Sequence, residues 1–380
     1  MRWKYVKNGL KFSIIPIIFI FIIILCQQKQ TTNKTNRHDC VNERLDLHEI
    51  EKRRNILVTG AAGFIGMHTC LKLKQNGYAV VAFDSVNAYY SLKLKKRRID
   101  ILNQNGIMFI QGDVCNSTML QHTIIFHKID QVVHLAAQAG VRYSLDHPQE
   151  YVQNNIQCFV TLLETLVRTN ISENGFVYAS SSSVYGLNQK IPFSETDRIG
   201  SPNSLYAATK FTDEIIAKTY YNLYGLKSVG LRFFTVYGPW GRPDMAYYIF
   251  ARKIKNNETI TIFDYGRTMR DYTYIDDIVS GVVSAVKTRF NTAEILNLGN
   301  NKPVTISTFV QTLEFHMGQK AIIEYANSAK GDVPQTFADI SKARCLIAYN
   351  PVTDINIGIK KFVTWFNEYE TINEESSNFK

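Results

Sequence analysis

The amino-acid sequence predicts an α/β fold built on a doubly wound parallel sheet, followed by a smaller mixed C-terminal part. Between residues 55 and 233, short β-branched runs alternate with helical stretches, which is the order typical of strand–helix–strand units. A glycine-rich turn follows the first of these runs and opens a helix. The chain has 380 residues, of which 45% are hydrophobic, so it can bury a large core.

The strands are predicted from the β-branched runs, and the helices from the stretches between them. The strands are Asn55–Thr59, Ala79–Asp84, Met108–Gln111, Gln131–Leu135, Phe176–Ser180 and Ser228–Phe233, and the helices include Phe64–Gln75, Pro148–Thr169 and Asn203–Tyr224. From residue 239 the alternation fades, which predicts a first domain at 54–238 and a second at 239–369. Residues 370–380 predict a disordered tail.

Residues 12–26 are apolar and uncharged, and they predict a membrane anchor behind a basic tail at 1–11. As a helix this run spans about 22 Å, short of the roughly 30 Å hydrocarbon core, so a cleaved signal peptide and a buried helix remain alternatives. Residues 27–53 are predicted to form a stalk. With its basic end in the cytosol, this anchor would make the chain a single-pass type II membrane protein. Its folded part is then expected to face a secretory lumen, and the Golgi is the expected compartment. Four glycosylation triplets would then lie in the lumen, at Asn33, Asn116, Asn170 and Asn257.

The charge balance favours a membrane over a nucleic acid as a partner. The net charge is +10, and residues 1–54 carry 11 Lys and Arg against 5 Asp and Glu, while the remainder carries 32 against 28. No basic run with interleaved aromatic residues occurs in the folded part, so nucleic-acid binding is not expected.

The cysteines predict neither a metal site nor a redox motif. None forms a CxxC pair or has a histidine at zinc-ligand spacing, so isolated thiols are expected, with an unassigned luminal disulfide as the alternative. The six are Cys26, Cys40, Cys70, Cys115, Cys158 and Cys345.

The turn after the first strand has the spacing of a dinucleotide-binding loop in a Rossmann-type sheet. Gly60 allows the sharp turn, Gly63 the approach of a pyrophosphate to the helix N-terminus, and Gly66 the packing of the helix on the strand. Asp84 ends the second strand, where an acid binds the adenosine ribose and repels a 2′-phosphate, so NAD is favoured over NADP. Asp113, after the third strand, is interpreted as an adenine contact, a helix N-cap or both.

A general base is predicted from Tyr206 and Lys210, which lie four residues apart on one face of a helix. Tyrosine is a poor base at neutral pH, and a nearby ammonium favours its phenolate. The hydroxyls of Ser181, Ser182 and Ser183 follow the fifth strand, at the edge of the sheet that faces a ligand crevice.

Several of these motifs carry a resemblance to a known family. They read NILVTGAAGFIG, VVHLAAQAGVRYSL, FVYASSSSVYG, LYAATK, LRFFTVYGPWGRPDMA and RDYTYIDDI. Residues 55–365 resemble the extended short-chain dehydrogenase/reductase family, and within it they are most similar to the UDP-glucuronate 4-epimerases.

The resemblance implies roles by position. Tyr206 would be the base, Lys210 its partner, and Ser181 the helper hydroxyl, and a homodimer through a helix bundle is expected. The implied NAD contacts are Gly60, Gly63, Phe64, Ile65, Gly66, Asp84, Asp113, Val114, Ala136, Ala137, Gln138, Asn155, Tyr206, Lys210 and Phe234. The implied UDP-sugar contacts are Ser181, Ser182, Ser183, Thr235, Arg242, Arg270 and Asp332, with Arg270 at the pyrophosphate and Asp332 at the uridine ribose.

The outcome of the reaction depends on the residues after the helper hydroxyl. Similar dehydratases carry Asp-Glu there, and the xylose-forming decarboxylases carry Glu shortly after theirs, whereas this chain has Ser182 and Ser183. A simple C4 epimerisation through a 4-keto sugar is therefore expected.

The choice of substrate depends on Thr235 and Arg242, which would hold a C6 carboxylate, since arginine can bind a carboxylate with two hydrogen bonds. UDP-glucose epimerases carry Asn in place of Thr235. For Arg242, a pyrophosphate contact or a structural ion pair is the alternative.

The expected activity is thus the NAD-dependent conversion of UDP-glucuronate to UDP-galacturonate. The alternatives are epimerisation of UDP-glucose or UDP-N-acetylglucosamine, decarboxylation of UDP-glucuronate, and a non-catalytic protein that senses NAD.

Overall fold

A computed structural model describes residues 54–171, 175–327 and 333–378 of the chain. The predicted basic tail, anchor and stalk lie outside these residues, as does Asp332. Within the described ranges, no helix combines the length and the apolar character needed to cross a bilayer.

Seven parallel strands form the large sheet, in the order β3-β2-β1-β4-β5-β6-β11. The chain therefore winds outward in both directions from the centre, as predicted for a doubly wound sheet. The six predicted strands are confirmed, with ends that differ by one residue at most. The strands are β1 (Asn55–Thr59), β2 (Ala79–Asp84), β3 (Met108–Gln111), β4 (Gln131–His134), β5 (Phe176–Ser181), β6 (Ser228–Phe233) and β11 (Ala293–Leu298).

Helices flank this sheet and fill the second half of the chain. They are α1 (Phe64–Gln75), α2 (Leu92–Gln104), α3 (Ser117–Phe126), α4 (Tyr143–Asp146), α5 (Pro148–Tyr151), α6 (Cys158–Arg168), α7 (Leu205–Tyr224), α8 (Ala246–Lys255), α9 (Ile275–Lys287), α10 (Ile306–Met317), α11 (Ser341–Ile347) and α12 (Ile355–Asn378). The helix predicted at Pro148–Thr169 is interrupted by a π-helical turn at Val152–Gln157. Short 3₁₀ turns lie at Ser182–Tyr185 and Asp264–Gly266.

Alternating side chains of the strands build two cores. Ile56 and Val58 of β1 belong to one cluster, which also includes α1 and α9, while Leu57 between them belongs to another with α3 and α6. This period of two is expected of a strand that is buried on both faces. Both faces of the sheet are therefore closed, and its carboxyl edge is left for a ligand.

Three two-stranded sheets occupy the second half. β7 (Thr235–Tyr237) pairs with β10 (Tyr272–Tyr274), β9 (Met269–Arg270) with β12 (Val304–Thr305), and β8 (Thr259–Phe263) with β13 (Ile322–Ala326). β11 also comes after the predicted boundary at 238/239, yet it pairs with β6 in the large sheet. The sequence after residue 239 thus contributes to both parts of the fold.

The expected disordered tail at 370–380 is helical instead up to Asn378. Tyr369 is buried and stacks on Trp365, with ring centroids 5.2 Å apart.

The expectation of isolated thiols is wrong for Cys115 and Cys158, which form a disulfide with Cα atoms 4.4 Å apart. The bond joins the loop after β3 to the first residue of α6. These segments meet because α3 and α6 pack together in the second core, a contact between residues 43 apart in sequence that no local pattern reveals.

Candidate active site

The carboxyl ends of the parallel strands open into one cleft with a volume of about 450 Å³. Almost all of the residues predicted for cofactor and sugar lie in its wall, although they come from segments up to 210 positions apart. They are Gly60, Gly63, Phe64, Ile65, Gly66, Asp84, Asp113, Val114, Ala136, Ala137, Gln138, Ser181, Ser182, Ser183, Tyr206, Lys210, Phe234, Thr235, Arg242 and Arg270.

The glycine turn is shaped so tightly that side chains do not fit. Gly60 has a φ of +71°, and a Cβ there would lie 2.6 Å from the backbone nitrogen of Ala136. A Cβ on Gly66 would lie 2.0 Å from the carbonyl oxygen of Gly60. The N-terminus of α1 therefore reaches the cleft with bare backbone, as the binding of a pyrophosphate requires.

Asp84 holds the turn from the second strand. Its carboxylate accepts hydrogen bonds from the backbone nitrogens of Ala62, at 3.0 Å, and Val86, at 2.7 Å. The side chain thus orients the glycine turn and also lines the cleft, where a ribose contact is expected.

Asn155 is the predicted cofactor contact that the structure places behind the cleft wall. Its amide accepts from the backbone nitrogen of Gln138 at 2.8 Å and donates to the carbonyl of Gln138 and the hydroxyl of Thr209, both at 3.0 Å. It lies in the π-helical turn, a distortion that often marks functional sites. Asn155 therefore holds the loop of Gln138, which itself lines the cleft.

Asp113 also departs from one of its two predicted roles. The N-cap of α3 is Asn116, which accepts from the backbone nitrogen of Met119 at 3.0 Å, whereas Asp113 accepts from the backbone nitrogen of Cys115 at 2.8 Å. Asp113 thus shapes the turn before α3 and stays in the cleft wall, next to the disulfide of Cys115.

Tyr206 and Lys210 project from the first two turns of α7, whose N-terminus is capped by the Ser204 hydroxyl. The Lys210 ammonium donates to the carbonyl of Ala179 at 3.1 Å and to the carboxylate of Asp213 at 3.0 Å. This tie between helix and β5 holds the lysine beside the cleft. Asp213 was not identified from the sequence.

The serines after β5 lie above a buried ionic network. The Ser181 hydroxyl donates to that of Ser183 at 3.2 Å. Below them the Ser180 hydroxyl donates at 2.6 Å to Glu214, whose two carboxylate oxygens accept from Arg232 at 2.9 and 2.7 Å. This network joins β5, β6 and α7, and it fixes the end of β5, where Ser181 enters the cleft.

Arg242, in the loop after β7, is held by a carboxylate of its own chain. Its Nε and Nη2 donate to Asp244, with the Nε bond at 3.0 Å, and the Tyr89 hydroxyl donates to the same carboxylate at 3.0 Å. Burial opposes the charge of Arg242, but Asp244 keeps the pKa of its guanidinium above the ordinary value. The structural ion pair, which the sequence analysis gave as an alternative role for Arg242, is thus present. Arg242 and Thr235 line the same cleft.

Arg98 links the glycine turn to the loop that carries Arg242. Its fully buried guanidinium donates to the carbonyl of Ala62 at 2.9 Å, the hydroxyl of Tyr90 at 2.6 Å and the carbonyls of Trp240 and Gly241 at 2.6 and 3.2 Å. The sequence offered no signal for this residue, because its partners lie up to 143 positions away.

A family model matches this chain over residues 56–299, described as the NAD dependent epimerase/dehydratase family. Among curated proteins, the chain is similar to UDP-glucuronate 4-epimerase 4 of Arabidopsis thaliana, with 46% identity over 330 residues that cover 83% of this chain and 75% of the relative. It is 42% identical to Protein CapI of Staphylococcus aureus over 331 residues, which cover 83% of this chain and 98% of the relative.

Solved structures show the same likeness. The UDP-glucuronic acid 4-epimerase of Bacillus cereus, in complex with UDP-glucuronic acid and NAD, matches with a TM-score of 0.77 at 37% identity and covers 83% of this chain and 99% of its own. A UDP-glucose 4-epimerase of Thermotoga maritima, with UDP-glucose, matches with a TM-score of 0.76 at 31% identity over the same shares.

Proposed function

Because the chain belongs to the NAD-dependent epimerase/dehydratase family, we propose that it converts UDP-glucuronate to UDP-galacturonate by inverting C4. The observation that carries this proposal is the meeting in one cleft of a tyrosine–lysine pair and an arginine that is suited to a carboxylate. Tyr206 and Lys210 supply the chemistry at C4, and Arg242 distinguishes glucuronate from neutral sugars.

The residues of the cleft fit NAD. Gly60, Gly63 and Gly66 form a cradle that any Cβ would fill, and Asp84 lies at the ribose end. When bound, NAD would supply the redox chemistry by taking a hydride from C4 as the O4 proton leaves, and by giving it back to the opposite face of the ketone. Lys210 and Phe234 line the cleft and would border the nicotinamide, while Arg270 would bind the UDP pyrophosphate and Asp332 the uridine ribose.

Tyr206 acts as the general base that removes the proton from the sugar O4, with Lys210 one turn along the same helix face. The Ser181 hydroxyl donates a hydrogen bond to the same oxygen. The 4-keto sugar then turns about its phosphate linkage and presents its other face. Tyr206 returns the proton to O4 as the alcohol forms again with inverted configuration at C4.

Arg242 and Thr235 hold the C6 carboxylate, with Ser182 and Ser183 assisting. The 4-keto sugar is a β-keto acid, so it loses carbon dioxide most readily when its carboxylate turns out of the plane of the ketone. Holding the carboxylate in that plane suppresses this loss. With serine at both positions after Ser181, the site also has no acid there to drive an elimination.

Incubation of the purified chain with UDP-glucuronate, UDP-glucose and UDP-N-acetylglucosamine, each in turn, tests the assignment. We expect UDP-galacturonate from the first and much slower turnover of the others. UDP-xylose as the main product would identify a decarboxylase, and faster turnover of a neutral sugar would identify another epimerase. Bound NAD with no turnover of any sugar would indicate a sensor.

We also propose that residues 12–26 anchor the protein as a single-pass type II membrane protein, with the folded part in the Golgi lumen. The basic residues before this run support that orientation. The disulfide between Cys115 and Cys158 supports an oxidising compartment. The triplets at Asn170 and Asn257 have exposed asparagines, so a mass shift on glycosidase treatment is expected, whereas glycan-free protein would contradict the topology.

A homodimer through the helices beside the sheet is the expected assembly. Exposed apolar side chains on α7 and the π-helical turn support this proposal, because such residues are common in subunit interfaces. They are Val152, Ile215, Leu223 and Tyr224, each at least 42% exposed. Light scattering should give twice the chain mass for the wild type and a lower mass for Ile215→Glu. A wild type of single-chain mass would rule out the dimer.

A further inference from the structure

Asp213 is a buried carboxylate that has no role in the reaction described above. It accepts a hydrogen bond from the Lys210 ammonium at 3.0 Å, and only 3% of the Lys210 side chain and 1% of the Asp213 side chain are exposed. Among the described residues, nothing donates to its other oxygen, Oδ1. A buried carboxylate with one unsatisfied oxygen is costly, so its place beside this lysine has to bring some benefit.

Helix geometry puts the lysine between the base and this carboxylate. Tyr206, Lys210 and Asp213 follow one another at spacings of four and three residues, so their side chains share one face of α7. The Lys210 ammonium therefore lies on the same helix face as Tyr206 and is hydrogen-bonded to a carboxylate one turn further along.

The other ionisable groups around this pair do not compensate its charges. Glu214, the next residue on α7, is taken up by its two hydrogen bonds with Arg232 of β6. From the sheet, burial raises the pKa of Tyr178 in β5 well above its ordinary value and lowers the pKa of His134 in β4 to about 3, so both are neutral.

Two opposing effects act on the pKa of the Asp213 carboxyl group. Burial raises the pKa of its carboxyl group to about 6, while the neighbouring ammonium of Lys210 opposes this rise. Above that pH the carboxylate is ionised and offsets the charge of Lys210. Tyr206 also faces Arg242 from the loop after β7 and Tyr151 from α5, so the Lys210–Asp213 pair is not its only ionisable neighbour.

We propose that Asp213 is a positioning residue that moderates the basicity of Tyr206 by sharing the charge of Lys210. A carboxylate near the ammonium weakens the positive potential at the phenol, so the phenolate forms at higher pH than it would beside a lone lysine. A stronger base also accepts the O4 proton more readily. The inference rests on the proposed function, because it requires Tyr206 to be the base.

Removal of the charge of Asp213 should therefore move the acidic limb of the pH–rate profile to lower pH. Seven residues of helix separate Tyr206 from Asp213 by roughly 10 Å. At an effective dielectric constant of roughly 20, one charge at this distance corresponds to a shift of about one pH unit.

The test compares kcat/KM against pH for the full-length wild type, Asp213→Asn and Glu164→Gln. Glu164 is the matched control, because it loses the same charge from α6 but contacts Arg168 and Tyr220 instead of Lys210. In Asp213→Asn, we expect the acidic limb of the profile to move to lower pH by about one pH unit, with a plateau value of kcat/KM within a few-fold of the wild type. In Glu164→Gln, the acidic limb should stay at the wild-type pH.

An active Asp213→Asn with an unmoved limb, or one moved to higher pH, would overturn the inference. If this variant does not fold, Asp213→Ser and the charge-retaining Asp213→Glu take its place, and only the former should shift the limb; equal profiles for both also overturn it. The wild-type plateau separates the two proposals: a wild type that does not turn over UDP-glucuronate disproves the function, whereas the limb position tests Asp213 alone.

Discussion

The two walls of the cleft hold their cations in different ways. On the sheet wall, Lys210 and Asp213 are almost fully buried within one helix. On the loop wall, Arg242 and its partner Asp244 are 21% and 30% exposed. The first pair is shielded from water, while the second is partly hydrated, so separating the second pair costs less free energy.

This difference matches what the proposed reaction asks of each wall. The group that moves the proton keeps one position relative to C4, so a buried pair on a helix suits it. The group that binds the carboxylate has to accommodate a sugar that rotates between the two half-reactions and presents its opposite face. A cation on a loop, with a partner of its own, can hold the carboxylate in both orientations of the 4-keto sugar and be paired with Asp244 during the rotation between them.

Loss of the base should have the largest effect. Tyr206→Phe removes only the hydroxyl and keeps the ring, which lies 6.0 Å from that of Tyr151. We expect turnover to fall by about 10²–10⁴-fold, the usual contribution of a general base, with an unchanged unfolding transition. Turnover within a few-fold of the wild type would contradict the role of the sheet wall.

Truncation on the loop wall should change specificity. In Arg242→Ala, kcat/KM for UDP-glucuronate should fall by about 100-fold, because hydrogen bonds to a charged group are lost, while that for UDP-glucose changes little. A UDP-pentose should appear among the products. Arg242→Lys, which keeps the charge but loses the planar set of guanidinium donors, should recover only part of the loss. Unchanged affinity and product ratio in Arg242→Ala would disprove the carboxylate contact.

The connection between the walls should contribute mainly to stability. Arg98→Met leaves the carbonyls of Ala62, Trp240 and Gly241 without their donor, so the free energy of unfolding should fall by about 2 kcal/mol. Lys96→Met, at an exposed position of α2, is the matched control and should have little effect. Equal urea midpoints for the two variants would show that Arg98 does not join the walls.

The smallest effect is expected for the partner of Arg242. Asp244→Asn removes the charge that offsets the guanidinium, so the carboxylate should be held more tightly in the ground state. We expect KM for UDP-glucuronate and kcat to fall together by about three-fold, since tighter ground-state binding does not speed the chemistry. Tyr89→Phe removes only a phenol donor and serves as the control. A raised KM in Asp244→Asn would show that Asp244 chiefly orients Arg242.

Local pattern was enough to predict most of the sheet wall. The strands before Gly60, Asp84 and Ser181 have β-branched runs, and the spacing of Tyr206 and Lys210 follows from the helical repeat. The family resemblance identified Arg242 as a site residue. The residues that hold Arg242 in the structure were not predicted from the sequence.

The features that the sequence did not reveal depend on contacts between distant segments. Arg98 bonds to a loop more than 140 positions later, and Cys115 meets Cys158 only because two helices pack together. Asp213 is close to Lys210 in sequence, but its importance comes from burial, which the spacing of charged residues on a helix does not reveal.

UDP-glucuronate that carries deuterium at C4 tests the central claim most directly. The purified chain, without added NAD and in ordinary water, should yield UDP-galacturonate with the deuterium still at C4, because the same hydrogen leaves one face and returns to the other. Mass spectrometry and proton NMR of the product would show this retention. UDP-galacturonate that has lost its deuterium, or a UDP-pentose as the main product, would contradict the account.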